Sequence, residues 1–135
     1  MCFVKDYKDE IFEEILPHFV YLSQTEKGLN VAKKLVSSLK CKTAQGLIVA
    51  KVKNAVGFIE DFYSNYVIQL IIQSWSIDVV QELFHIINGK IQEYSLQKSS
   101  SNVIETMIYY SPEDIRRKYF EEIASLPNID STDIT

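Results

Sequence analysis

At 135 residues, with 47% hydrophobic and 24% charged, the chain has the make-up of one folded domain around a modest core. Its net charge of −4 argues against a nucleic-acid binder that works by bulk positive charge. No apolar run reaches membrane-spanning length and the first residues lack a signal peptide's charged and apolar regions, so an intracellular protein with no membrane span is expected.

In chain order, apolar residues fall at i, i+3, i+4 and i+7 over 11–22, which predicts a helix interrupted by Pro17. A second helix is expected over 26–39. The same spacing over 47–59 predicts another helix, followed by one over 63–74. The stretch 77–91 repeats the first pattern, with Gly89 as its breaker, and a helix over 99–109 follows. Ser111-Pro112-Glu113-Asp114 then reads as a helix start: serine as N-cap, proline in the first turn, acids at the positive helix end. That helix should run to about Ala124, with Pro127 ending it.

These elements repeat every 36 residues. Val31, Val67 and Val103 align, each followed by a small or aliphatic residue: Ala32, Ile68, Ile104. Leu35, Ile71 and Met107 align, as do Val36, Ile72 and Ile108. Upstream, Phe12, Ile48, Phe84 and Phe120 keep the phase, beside Ile11, Leu47, Leu83 and Tyr119. The breakers Pro17 and Gly89 stand two periods apart. Each unit thus reads as a longer helix, a short one and a last helix. The boundaries expected are 6–41, 42–77 and 78–113, the start of a fourth unit at 114–127, and a tail at 128–135. Units of this kind cannot bury their apolar faces alone, so they stack into an α-solenoid.

Catalytic chemistry has no foothold. There is no Gly-rich phosphate loop, nucleophile elbow or paired histidine on a helix. Cys2, Cys41, His18 and His85 show neither metal-ligand spacing nor a disulfide pattern. An enzyme, a metal and a cofactor are therefore not expected.

The last helix of each unit has two faces. On a wheel of about 100° per residue, Asn65, Tyr66 and Gln69 share one side, with Val67, Ile68 and Ile71 opposite. Ser101, Asn102 and Glu105 repeat the outward set. Two polar side chains one turn apart can reach the edge of a planar base while the residue between them lies against its face.

Ser64-Asn65-Tyr66-Val67-Ile68-Gln69 and Ser100-Ser101-Asn102-Val103-Ile104-Glu105, at this period, resemble the recognition helices of the Pumilio/PUF family of single-stranded RNA-binding proteins. The resemblance covers three repeats and the start of a fourth. It implies an all-α fold: a right-handed α-solenoid of three-helix PUF-type repeats. It also implies roles. Asn65 and Gln69 would read the edge of uracil, with Tyr66 stacking. Ser101 and Glu105 would read guanine, with Asn102 as the weaker stacker. A carboxylate only accepts hydrogen bonds, which suits the N1–H and N2–H donors of guanine, and amides suit uracil's mixed edge. Antiparallel RNA, as in the family, gives a 5′-GU core and resembles sites of the UGU type in mRNA.

The first unit departs from this pattern with Leu29, Asn30 and Lys33, and reads as degenerate. Leucine offers a base edge nothing, although Asn30 could lie against a base and Lys33 could meet a phosphate. Charge is unevenly distributed. The last helices and their flanks hold Lys27, Lys33, Lys34, Lys40 and Lys98 against Glu26 and Glu105. Five lysines against two glutamates give +3, so the rest of a chain at −4 carries −7. A mildly basic concave face and an acidic convex one are expected, with protein partners on the convex side. Arg116-Arg117-Lys118 reads as a solvated basic cluster.

The expected function is a single-stranded RNA-binding module reading about one base per repeat, in cytoplasmic regulation of mRNA through 3′-untranslated sites. Two alternatives stand beside it: a helical-repeat scaffold for protein partners, and a nucleolar, structure-general RNA binder in ribosome biogenesis.

Overall fold

The computed structural model describes residues 7–126, and side chains from residue 10 onward. Their regular structure is all helical, with no strand among them. The expectations for Pro127 and the tail 128–135 lie outside the described residues.

The first unit holds α1 (Tyr7–Ile15), a 3-10 turn at Leu16–His18, α2 (Phe19–Ser23) and α3 (Glu26–Ser38). Pro17 sits inside the turn that separates α1 from α2, where a missing N–H costs least. Thr25 caps α3, its Oγ1 accepting from Gly28 N at 3.0 Å, and Glu26 lies in the positive first turn.

The second unit is α4 (Lys42–Lys53) and α5 (Ser64–Ser74), and here the structure departs from expectation. The longer helix ends at Lys53, in phase with the breakers Pro17 and Gly89, but turns occupy 54–63 where the short helix of the 47–59 stretch was expected. Asn54 closes α4 by donating its side-chain amide to Ala50 O at 2.9 Å, a local bond that competes with the helical ladder. Gly57 then adopts a φ of +79°, a backbone state that side chains resist. Among the described residues this unit therefore lacks the short middle helix of its neighbours. Asp61 starts α5 instead, its Oδ2 accepting from Tyr63 N and Ser64 N.

The third unit is α6 (Ile77–Val80), a 3-10 segment at Gln81–His85, α7 (Ile91–Ser95) and α8 (Lys98–Tyr110). Gly89, with a φ of +78°, breaks the chain before α7 as its phase predicts. The fourth unit's α9 (Glu113–Ala124) begins with Glu113 and Asp114 in its first turn. Ser111 does not cap it. Its hydroxyl donates back to Ile108 O, and Pro112 occupies the cap position. Arg116 is likewise structural, binding the carbonyls of Ile108, Tyr109 and Ser111 that α8 leaves open.

Two layers result. α5 packs between α3 and α8, while α4 packs against α6 and the segment after it. Val67, Ile68, Ile71 and Ile72 are buried in the inner layer, as are Val103, Ile104 and Met107, each worth about 1.5–3 kcal/mol of burial. Phe12, Ile48 and Phe84 are buried in phase, but Phe120 is 52% exposed. α9 turns Tyr119 inward instead, where its hydroxyl donates to Phe84 O. Burial, and then the nearby charge of Glu122, push the Tyr119 phenol well above its usual range. Glu122 also receives Gly89 N and Ile91 N, fastening α9 to the third unit.

One repeat device was not read from the sequence. Ser64 and Ser100, 36 residues apart, each donate a hydroxyl to a carbonyl six residues upstream, Phe58 O and Tyr94 O. Gly28 holds the same phase, and there the carbonyl of Leu22 moves in so far that an added Cβ would meet it at 2.2 Å. Cys41 is disulfide-bonded, against the sequence expectation. A disulfide needs its two Cα atoms within about 7 Å, a tertiary fact that spacing does not carry. Cys2 lies outside the described residues.

Candidate nucleic-acid interface

The three last helices, α3, α5 and α8, lie side by side and carry the positions singled out above. The middle residue of each set is exposed: Asn30, Tyr66 (46% exposed) and Asn102. The flanking positions differ from unit to unit.

On α8 the edge is open. Glu105 is exposed, with no hydrogen bond or ion pair among the described residues. Ser101 is half-buried and donates to Lys98 O at 3.0 Å, leaving its oxygen lone pairs outward. Asn102 makes one long contact, Nδ2 to Lys98 O at 3.3 Å. All three can turn to a ligand at little cost.

On α5 the edge is closed, which corrects the wheel. Asn65, expected outward beside Tyr66 and Gln69, is 1% exposed. Its Nδ2 donates to Asp61 O and Phe62 O, both at 2.8 Å. Its Oδ1 accepts from Gln69 Nε2 at 3.1 Å. Gln69 is half-buried, and its Oε1 accepts from Thr106 Oγ1 on α8 at 3.0 Å. The cause is local. Asn65 is the second residue of α5, and its amide turns back onto the carbonyls of Asp61 and Phe62, in the turn just before the helix. A helical wheel contains only its own helix, so it cannot show what the preceding turn binds.

On α3, Leu29 is half-buried and packs against the core, while Asn30 and Lys33 are exposed. The degenerate first unit thus presents an amide and an ammonium with no reading pair. Two contributors escaped the sequence reading. Thr106 is the polar residue buried between α5 and α8, and its signal was a hydroxyl in an otherwise aliphatic row. Phe62, 59% exposed, lies edge-to-face with Tyr63 and adds aromatic surface just upstream of α5.

No group of three metal-ligating side chains occurs among the described residues. His18 and His85 are both exposed, and His85 pairs only with Asn88. No helix among the described residues is long and apolar enough to cross a membrane. On the outer layer, the hydroxyl of Ser76 and then Lys42 hold the Asp78 carboxyl below its usual range.

Similar proteins match this arrangement along nearly the whole chain. Pumilio homolog 12 of Arabidopsis thaliana is 26% identical over 120 residues, covering 89% of this chain and 20% of that protein. A Pumilio domain-containing protein of Schizosaccharomyces pombe is 25% identical over 113 residues, covering 84% of this chain and 17% of its own length. The Puf4 RNA-binding domain bound to the HO endonuclease RNA 3′ UTR recognition sequence superimposes with a TM-score of 0.83 at 18% identity, over 92% of this chain and 39% of that one. The Puf3 domain bound to Cox17 RNA 3′ UTR site B gives 0.71 at 27% identity, over 82% and 33%. The chain shares the fold of these PUF domains and resembles the Pumilio family over most of its length. No protein-family model matches the sequence. The chain spans about a fifth of the curated relatives and a little over a third of the solved PUF domains, so it presents only part of such an array. As a PUF fold it is a right-handed α-solenoid, with the inner layer formed by α3, α5 and α8.

Proposed function

We propose that this PUF array binds single-stranded RNA along α3, α5 and α8 and serves post-transcriptional regulation of mRNA. The observation that carries this reading is the exposed row Asn30, Tyr66, Asn102, one residue per repeat, with the unengaged carboxylate of Glu105 beside it. Support comes from the solved PUF domains of like fold, which hold 3′ UTR sequences.

Glu105 and Ser101 suit guanine, because guanine's Watson–Crick edge offers two donors to a carboxylate. Tyr66 supplies a stacking face for the next base. Gln69 keeps one Nε2 proton and one Oε1 lone pair, which match uracil's acceptor and donor. Asn65 acts from behind, fixing Gln69 rather than touching the base. The core read is 5′-GU, within an element of the UGU type. Lys33 on α3 meets the phosphate backbone. The site of action is the cytoplasm, where regulated mRNA is translated.

Stacking contributes on the order of 1–3 kcal/mol per base. Two bases give roughly 2–6 kcal/mol before an association cost of at least about 4 kcal/mol, so binding by this chain alone is weak. Fluorescence anisotropy with a GU-containing RNA and its scrambled counterpart tests the reading. The GU strand should bind more tightly, and Ser101→Asn with Glu105→Gln should move preference from G toward U. No shift in preference would remove base reading at the third repeat. The closed edge of α5 favours a second reading, RNA binding without selectivity at the second repeat. Equal affinity for strands that differ only at that base would select it.

A further inference from the structure

We propose that Thr106, on the third unit, is a positioning residue that sets which pyrimidine the second unit accepts. This rests on the reading of uracil by Gln69. Thr106 is 8% exposed, and α8, which carries it, packs along α5. Its hydroxyl donates to Gln69 Oε1 at 3.0 Å across the two units. The other end of the same amide is held on α5, where Gln69 Nε2 donates to Asn65 Oδ1 at 3.1 Å. Asn65 does not turn over, because both of its Nδ2 protons go to carbonyls, Asp61 O and Phe62 O. The Gln69 amide is therefore tied at both ends and in one order. Among the described residues the tie occurs once. Thr106 corresponds in phase to Leu70 on α5, which is aliphatic and packs against the core. Leu70 offers no hydroxyl to Lys33, the counterpart of Gln69 on α3.

Rigidity turns this geometry into a choice. Tied at both ends, Gln69 keeps one Oε1 lone pair for a base. Uracil meets that oxygen with its N3–H donor, whereas cytosine brings a bare N3 lone pair to the same place. A loose amide swings away from cytosine and relieves the mismatch. An oxygen held by Thr106 stays in front of that lone pair, and the repulsion counts against the wrong base. Stacking on Tyr66 does not make this distinction, because every base offers a ring face. The choice at the second base is thus written across two units. Gln69 on α5 touches the base, and Thr106 on α8 keeps the amide in place.

Two measurements test this, one with RNA and one without. In competition anisotropy with 5′-GU and 5′-GC strands identical elsewhere, the full chain should favour GU about tenfold, the difference between a satisfied and an opposed hydrogen bond. Thr106→Val should cut that ratio to about twofold, mainly through tighter binding of GC. Thr106→Ser, which keeps the hydroxyl, should preserve the ratio. A merely structural Thr106 would instead lower affinity for both strands alike. Without RNA, the heteronuclear NOE of the Gln69 side-chain amide should report a rigid group in the unsubstituted chain. In Thr106→Val it should fall toward that of the exposed Gln73. Should Thr106→Val fail to fold, Thr106→Ala takes its place. A GU-to-GC ratio unmoved by the substitution, or a Gln69 amide as mobile as that of Gln73 before it, overturns the proposal and leaves uracil reading standing. An unsubstituted chain that binds GU and GC alike overturns the uracil reading, and this proposal with it.

Discussion

α5 and α8 occupy the same phase of the same repeat and differ in what they leave available. On α5, Asn65 and Gln69 spend their amides on the 54–63 turns, on each other and on Thr106. On α8, Ser101, Asn102 and Glu105 stand ready: Ser101 and Asn102 make only local bonds to Lys98 O, and Glu105 makes none among the described residues. Equivalent position thus fixes where a side chain starts, while its neighbours fix whether it is spoken for.

Stability should separate the two helices most sharply. Asn65→Ala removes the two part-buried bonds to Asp61 O and Phe62 O and leaves the Gln69 amide without its partner, at a cost of about 1–3 kcal/mol, whereas Ser101→Ala at the same phase should cost under about 0.5 kcal/mol. Urea denaturation of both variants measures this, and equal losses would break the contrast. For RNA the order of the helices reverses. Tyr66→Ala should weaken binding by about 1–3 kcal/mol, and Asn102→Ala by less than about 1 kcal/mol, because an amide is a poor stacking surface. Anisotropy titration reads both.

Between the helices, Thr106→Val removes the hydroxyl that orients Gln69 and should cost about 1 kcal/mol of stability. The same variant should blur base preference at the second repeat and leave the third unchanged; competition with RNAs varied at each base resolves the two. The smallest effects belong to the outer layer and α9. The Lys42–Asp78 pair is exposed, so Lys42→Ala should barely move the melting temperature at neutral pH. Because the Asp78 pKa is lowered on folding, whatever the pair contributes is present above the usual aspartate range and is lost as pH falls through it. Tyr119 works in the opposite direction. Its folded pKa lies above the usual value of 10.0, so its neutral form is favoured and its contribution is intact below about pH 10 and lost as pH rises further. Alkaline unfolding followed by circular dichroism should start at higher pH in Tyr119→Phe, with α5 and α8 affected equally.

Much of the fold was legible because repetition averages out local ambiguity. Aliphatic residues at one phase mark the inner helices, and those ran within about a residue or two of expectation, the uncertainty of any helix end. The second unit was misread for a physical reason. Its apolar spacing continues to Ile59, but Asn54 and Gly57 impose local geometry that hydrophobic period does not register. Gly28, Ser64 and Ser100 were legible in principle, as small residues at one phase, yet their role depends on a carbonyl six residues back that only the fold brings near. At the candidate site, exposure of Tyr66, Asn102 and Glu105 followed from the helix period alone. The burial of Asn65 and the Thr106 bridge did not, since both depend on neighbours outside α5.

The central claim is that RNA lies along the inner layer, touching α5 through Tyr66 and Gln69 and α8 through Asn102 and Glu105. Backbone amide shifts followed by NMR while a short GU-containing strand is titrated in test it most directly. The account predicts shifts clustered around 66, 69, 102 and 105, with α4 and α6 silent. Shifts centred on Asp78 and Glu82 of the outer layer, or none at saturating RNA, would contradict it.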